Sequence, residues 1–308
     1  MIIRYQMWLQ VVVLWFLSGT AYALVFTPQM VAPNVYAFIG DTGMRTYENE
    51  GMNANAGFIV TVQGVVVVDS GPSYLVAKAM HQAIKRITSQ PVKYVINTGG
   101  QDHRWLGNGY FKKIGAEIIS SNKARADMED RGTAEMAALQ PELKDRFAGT
   151  QASYPTHLVS GSETLKLGDE EIQVLYFHGG HTPGDSVVWL PTQRILFSGD
   201  LVFVDRLLGV WPFSNTANWL ASFTEIEKLQ PLLIVPGHGQ VCDLARAQRD
   251  TRDYLRLLRD HMRKAIDNGI DLQTAVDTLD QSAYRRLQNF QLLSGGNANR
   301  TYLEMESE

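Results

Sequence analysis

Val92-Lys93-Tyr94-Val95-Ile96 runs straight into Asn97-Thr98-Gly99-Gly100-Gln101-Asp102-His103-Arg104. A short β-branched strand thus ends in a glycine-rich loop dense with polar groups. Open α/β sheets bind their ligands beyond the carboxyl ends of the strands, so this junction predicts both the class of fold and the place of its chemistry. Upstream, Gly64-Val65-Val66-Val67-Val68-Asp69 is an apolar run ending on a carboxylate and reads as a strand buried on both faces. Between the two, Ser73 can cap a helix over about Tyr74 to Ile87, where Leu75, Ala79, Ala83 and Ile87 share one face. The result is a strand-helix-strand unit whose second strand feeds the 97–104 loop.

Further strands are predicted at 34–39, 56–62, 171–177, 186–190, 194–198 and 232–235, with a charged, alanine-rich helical insertion at 122–148. Leu255, Leu258, Met262 and Ile266 mark a helix stopped by Asn268-Gly269. A shorter helix follows near 272–279, and then a polar end. The chain therefore reads as α/β, with two strand-rich halves and a helical C-terminal extension.

At 308 residues, 45 % hydrophobic and 19 % charged, the chain is ample for one large core. Its 28 basic and 32 acidic residues give no electrostatic case for nucleic acid or an anionic membrane surface. A small-molecule substrate is the expected partner. The amino terminus differs from the rest: Arg4, an apolar run of 11 residues from Met7 to Leu17, then Ala21-Tyr22-Ala23. That pattern predicts a signal peptide over 1–23, since a membrane anchor needs roughly 20 apolar residues. The mature chain would be periplasmic or otherwise exported, with no stable membrane span. Its domain then spans 24–265 and its extension 266–308. Cys242, the lone cysteine, cannot make an internal disulfide and reads as a small buried hydrophobe.

Three more strand ends carry metal-type ligands beside glycine: His181 in Gly180-His181-Thr182-Pro183-Gly184-Asp185, Asp200 in Phe197-Ser198-Gly199-Asp200, and His238 in Val235-Pro236-Gly237-His238-Gly239. Imidazole and carboxylate are zinc ligands, and a catalytic zinc needs only three from the protein. His103 joins the set. One such histidine alone would be a surface or core residue, but four ligands on four strand-end loops point to one site.

These motifs, with the strand ending at Asp69, resemble the metallo-β-lactamase superfamily over nearly all of residues 30–265. The resemblance implies a four-layer αβ/βα sandwich with metal at the rim of its two sheets. Asn53-Ala54-Asn55-Ala56-Gly57, Asp69-Ser70-Gly71-Pro72-Ser73 and the frame from Asn97-Thr98 to Leu106-Gly107-Asn108 are most similar to the quinoprotein relay system zinc metallohydrolases. That likeness implies a link to periplasmic pyrroloquinoline-quinone dehydrogenases.

The departure lies in the family's first metal motif, His-x-His-x-Asp-His. In one matching, Asp102-His103 is its final Asp-His, and Thr98 and Gly100 fall where the first two histidines belong. In the gapless matching, Gly99 and Gln101 replace those histidines, His103 the aspartate and Arg104 the last histidine. His103, His181, Asp200 and His238 survive both. The first matching is favoured here, because an aspartate can bind metal or hold the attacking water, whereas an arginine cannot bind a cation. Asp102 is then both ligand and catalytic residue. His178 and Gln101 are candidate auxiliary ligands, with a loop hydrogen bond as the other reading of Gln101, and Asp69 steadies the metal loop without binding. Arg104 and Trp105 read as a solvated or substrate-facing arginine and a packed indole.

The expected activity is an exported metal-dependent hydrolase using one or two zinc ions, iron or manganese not excluded, in which hydroxide on the metal attacks an ester, thioester, lactone or amide carbonyl. The alternative is a non-catalytic accessory or binding protein that keeps the fold with a degraded metal site.

Overall fold

The structure is a computed structural model describing residues 26–308; the expected signal peptide lies outside the described residues. Seven strands form the first sheet in chain order: β1 (Gln29–Ala32), β2 (Val35–Phe38), β3 (Ala56–Thr61), β4 (Gly64–Val68), β5 (Val92–Asn97), β6 (Glu117–Ser121) and β7 (His157–Val159). Pairing is antiparallel from β1 to β4 and parallel from β4 to β7. The second sheet holds β8 (Ser162–Leu167), β9 (Glu170–Tyr176), β10 (Ser186–Leu190), β11 (Ile195–Phe197) and β12 (Leu233–Val235), with only the β11–β12 pair parallel.

β4 explains the layering. Its alternate valines face opposite ways: Val66 and Val68 join Ile59, Ile96, Val174, Val188 and Phe197 between the sheets. Val65 and Val67 meet Val76, Met80 and Ile84 of α1 (Tyr74–Ile87) on the outer face. A strand buried on both sides needs apolar residues at every position, which a run of four valines supplies. Ser73 caps α1 by accepting the Val76 N–H. After β5 come two short helices, α2 (Asp102–Trp105) and α3 (Asn108–Lys113). The expected helical insertion is α4 (Asn122–Leu143), capped by Ser121.

The outer face of the second sheet is covered by α5 (Thr216–Leu229), which follows β11, and, after β12 and the short α6 (Leu244–Ala247), by α7 (Asp253–Asp267). Trp219, Phe223, Leu255, Leu258 and Met262 pack there. Two sheets face to face with helices outside both is the expected four-layer αβ/βα sandwich. Among the described residues no helix is long and apolar enough to cross a membrane.

The C-terminal segment differs from its sequence reading. The short helix is present as α8 (Leu272–Thr278), but the polar end is a 17-residue helix, α9 (Phe290–Glu306). Its Ala298, Tyr302 and Met305 join the core of the second half. Asn297 is buried, donating from Nδ2 to the Leu208 carbonyl at 2.8 Å and accepting the Val210 N–H at 2.7 Å. Glu304 accepts the Thr216 and Ala217 N–H groups at the start of α5, satisfying donors that no helix can satisfy internally.

Candidate metal centre

Four strand-end loops and the 39–55 loop meet at one rim of the sandwich. Asp200, just after β11, is 2 % exposed, and three groups converge on it. His103 Nε2 lies 3.0 Å from Oδ2, and His238 Nε2 lies 3.1 Å from Oδ1. Arg104, only 1 % exposed, donates from Nε to Oδ2 at 3.1 Å and from Nη2 to Oδ1. Its remaining donors reach Asp69 Oδ2 at 3.0 Å and the carbonyls of Asn55 and Gly237. Arg104 is therefore neither solvated nor turned to substrate. It is a buried cation between two buried aspartates. Asp69 also takes the Thr98 N–H and hydroxyl, each at 2.8 Å, so it ties Arg104 to the root of the 97–104 loop.

Burial opposes the charge on Asp200, but Arg104 and His103 beside it hold its carboxyl well below its ordinary range. His238 is held well below the usual imidazole value, by burial first and then by the charge of Arg206. Its Nδ1 stands 2.5 Å from the Asn53 carbonyl oxygen. Arg206 Nη1 is also 3.3 Å from that nitrogen, but so close a carbonyl requires the ring proton at Nδ1. The Nε2 lone pair is left facing a carboxylate oxygen. Two acceptors 3.1 Å apart repel unless a cation lies against both.

His103, Asp200 and His238 place one ligand atom each within 4.8 Å of one another. Two imidazoles and a carboxylate suit zinc, iron or manganese. The Arg104 fork takes one direction on each Asp200 oxygen, and a carboxylate oxygen accepts from two. The residues present thus fit one divalent cation.

His181 does not join that group. Its Nδ1 lies 3.1 Å from the Gly209 carbonyl oxygen and its Nε2 2.7 Å from the Gln101 side-chain oxygen. Burial brings its pKa down to about 4. Asp102 is held elsewhere. Its carboxylate pairs with Arg45 and accepts the His103 N–H at 2.8 Å, with Oδ1 3.4 Å from His103 Nδ1. Against the opposing effect of burial, Arg45 and His103 hold it well below the usual carboxylate range. Asp102 thus sits behind His103, not beside Asp200. His178 lines a different depression, with Tyr176 and Asn215. Gln101 opposite His181, and His103 and Arg104 both on Asp200, is the arrangement of the gapless matching. The preference for Asp102-His103 as the final Asp-His is corrected accordingly.

Gly99, which stands for the first histidine in the gapless matching, and its neighbour Gly100 are sterically committed. A Cβ at Gly99 would stand 2.8 Å from Asp185 Oδ1, and one at Gly100 would stand 2.2 Å from Asp127 Oδ2 on α4.

Sequence reasoning missed Arg45, Arg206 and the contact roles of Asn53 and Asn55. Asn55 Nδ2 donates to the Pro236 and Gly239 carbonyls at 2.9 and 2.7 Å, pinning the His238 loop. The Asn53-Ala54-Asn55 motif carried that signal. Arg45 and Arg206 sit in stretches without one. Trp211 lines the cavity over the site, whereas Trp219 is fully buried.

Comparison with known proteins agrees with this fold. The family model described as the Metallo-beta-lactamase superfamily matches residues 49–238. A metallo-beta-lactamase type 2 from Elizabethkingia meningoseptica is 27 % identical over 219 residues, covering 70 % of this chain and 79 % of that protein. The metallo-beta-lactamase IND-1 of Chryseobacterium indologenes is 24 % identical over 211 residues, covering 67 % and 78 %. Among solved structures, a metallo-beta-lactamase from Pontibacter korlensis superposes with a TM-score of 0.63 at 20 % identity, covering 75 % of this chain and 99 % of that one. The DIM-1 metallo-beta-lactamase does so at 0.59 and 17 %, covering 74 % and 96 %. At these identities the structural likeness shows the fold alone.

Proposed function

This chain belongs to the metallo-beta-lactamase superfamily, and on that premise we propose that it is a hydrolase working from a single metal held by His103, Asp200 and His238. The observation that carries the reading is the His238 ring. Its proton is committed to the Asn53 carbonyl while its lone pair faces Asp200. A cation bound there supplies Lewis acidity toward a carbonyl oxygen and toward water.

The chain's own residues do the rest. Asp102 and Arg45 hold His103 from behind. Arg104 keeps Asp200 ionised and fixes both of its oxygens. Asn55 and the Asn53 carbonyl set the orientation of His238. The cavity above is lined by Gln101, His181, Phe203 and Trp211, and its apolar walls limit water around an ester, thioester, lactone or amide. Zinc is the proposed metal, consistent with the family and the donor set.

Export as a periplasmic protein, and service beside a quinoprotein dehydrogenase, belong to the same proposal. The amino-terminal pattern and the resemblance of three sequence frames support them. Amino-terminal sequencing of the chain secreted from its host tests the first, with Leu24 expected as the first residue.

The function is tested by assaying a panel of esters, thioesters, lactones and β-lactams. Turnover should be lost to a chelator, restored by zinc and absent in His103→Ala. Chelator-resistant turnover, or none with any member of the panel by a zinc-loaded chain, favours the accessory-protein alternative.

A further inference from the structure

His181 is held between two oxygens. It is 2 % exposed, and burial keeps its ring neutral, so the ring carries one proton. That proton cannot serve both the Gly209 carbonyl, 3.1 Å from Nδ1, and the Gln101 side-chain oxygen, 2.7 Å from Nε2. The Gly209 carbonyl is the partner that cannot turn away. It shares one planar trans peptide with the Val210 N–H, which donates to Asn297 Oδ1 at 2.7 Å, while Asn297 Nδ2 donates to the Leu208 carbonyl at 2.8 Å. The buried Asn297 of α9 thus aims the Gly209 oxygen at His181, and the ring proton sits on Nδ1.

Nε2 is left with a lone pair, and a lone pair needs a donor. A glutamine supplies one by turning its amide over, so that NH2 meets Nε2 and the oxygen takes the other end. Gln101 is free to do so, because it stands at the N-cap of α2 without capping it through its side chain. The other end of the amide bonds to nothing among the described residues and is not enclosed. Gln101 lines the same cavity of about 90 Å³ as His103 and His238, a space with room for little more than a reacting group and the atoms beside it. A hydrogen-bond acceptor therefore faces that space where, in the gapless matching, the family motif carries a histidine.

We propose that Gln101 Oε1 accepts a hydrogen bond from the substrate and favours an open-chain secondary amide, whose N–H stands beside the scissile carbonyl. The inference rests on the hydrolase reading and narrows it. Esters, thioesters and lactones carry no hydrogen on the leaving atom, and neither does the ring nitrogen of a bicyclic β-lactam. Hydrolysis of such an amide consumes one water: its oxygen bonds to the carbonyl carbon, the C–N bond breaks, and nitrogen leaves as an amine with a proton from the water. Asn297 is a positioning residue that acts through Gly209 and His181.

The first test is nuclear magnetic resonance of the full chain with isotope-labelled histidine, in chelator and near neutral pH. His181 should carry its proton on Nδ1 alone. A proton on Nε2, in a neutral or a charged ring, overturns the proposal, since Gln101 would then turn its NH2 to the cavity.

The second test is titration with N-methylacetamide and methyl acetate, which differ only in N–H against O, followed by the same ring signals. Chelator prevents turnover of either. The amide should bind about fivefold tighter, the worth of one hydrogen bond. Gln101→Met should bind the two alike, and Gln101→Glu, which keeps an oxygen acceptor, should retain the preference. Equal binding by the native chain, binding of neither probe, or a preference that survives in Gln101→Met overturns the proposal. An amide preference that depends on Gln101 in a zinc-loaded chain that hydrolyses nothing keeps the subsite and sinks the hydrolase. Turnover whose KM for amide and ester is unchanged in Gln101→Met does the reverse.

Discussion

Replacing Arg104 with methionine tests the buried charge network at its centre. The side chain is 1 % exposed and bonds both oxygens of Asp200, one of Asp69 and two backbone carbonyls. Methionine fills much of the volume but leaves two buried carboxylates without their cation. Breaking a buried ion pair from one side costs about 3–5 kcal/mol. In a domain of this size each kcal/mol lowers the melting temperature by about 2–4 °C, so Arg104→Met should melt roughly 6–20 °C lower in the presence of a chelator. The variant also frees two acceptor directions on Asp200. A metal that binds the folded state alone stabilises it in proportion to its affinity, so saturating zinc should raise the melting temperature of Arg104→Met more than that of the native chain. Circular dichroism melts with chelator and with zinc give both numbers. A variant that melts within about 1 °C of the native chain in chelator would show that the guanidinium is not buried between the aspartates. Equal zinc shifts in the two chains would show that it does not share Asp200 with the metal.

Gly100→Ala should cost about 1–3 kcal/mol in chemical denaturation, the usual penalty of overpacking, because the new methyl meets Asp127 at 2.2 Å; an unchanged midpoint would mean that α4 does not close over the loop. Asp185 is fully buried, and desolvation, with the charge of Asp200, pushes its carboxyl up to about 8. Its folded-state pKa is raised, so the stability it contributes is complete below about pH 4 and is lost as pH rises toward 8. Asp185→Asn should therefore flatten the fall in denaturation midpoint between pH 4 and 8, and an equally steep fall in both chains would contradict this. Asn55→Ala removes both bonds to the His238 loop and should weaken zinc binding at least tenfold in competition with a chromophoric chelator, whereas an unaltered zinc affinity would show that the loop holds itself.

Much of the fold was legible because its signals are local. The valine run of β4, the Ser73 cap and the glycine beside each strand end are patterns within a few residues. The C-terminal helix was not legible in this way. Gly295-Gly296-Asn297 argues against helix by propensity, and α9 exists because Ala298, Tyr302 and Met305 find a core made by residues far earlier in the chain. The site divides similarly. His181, Asp200 and His238 announced themselves at strand ends. The place of Asp102 depended on Arg45, 57 positions away, and the place of Arg104 depended on three loops at once. An arginine cannot bind a metal, yet Arg104 holds the carboxylate that can. A buried cation leaves no local pattern to read, since its partners come from anywhere in the chain.

On the proposed function the protein holds one cation, on His103, Asp200 and His238 and not on His181. Elemental analysis of the dialysed chain measures it directly. The native protein and His181→Ala should each hold about one equivalent of zinc, iron or manganese, and His103→Ala and His238→Ala close to none. Two equivalents in the native chain, or a full site in His238→Ala beside an empty one in His181→Ala, would contradict it.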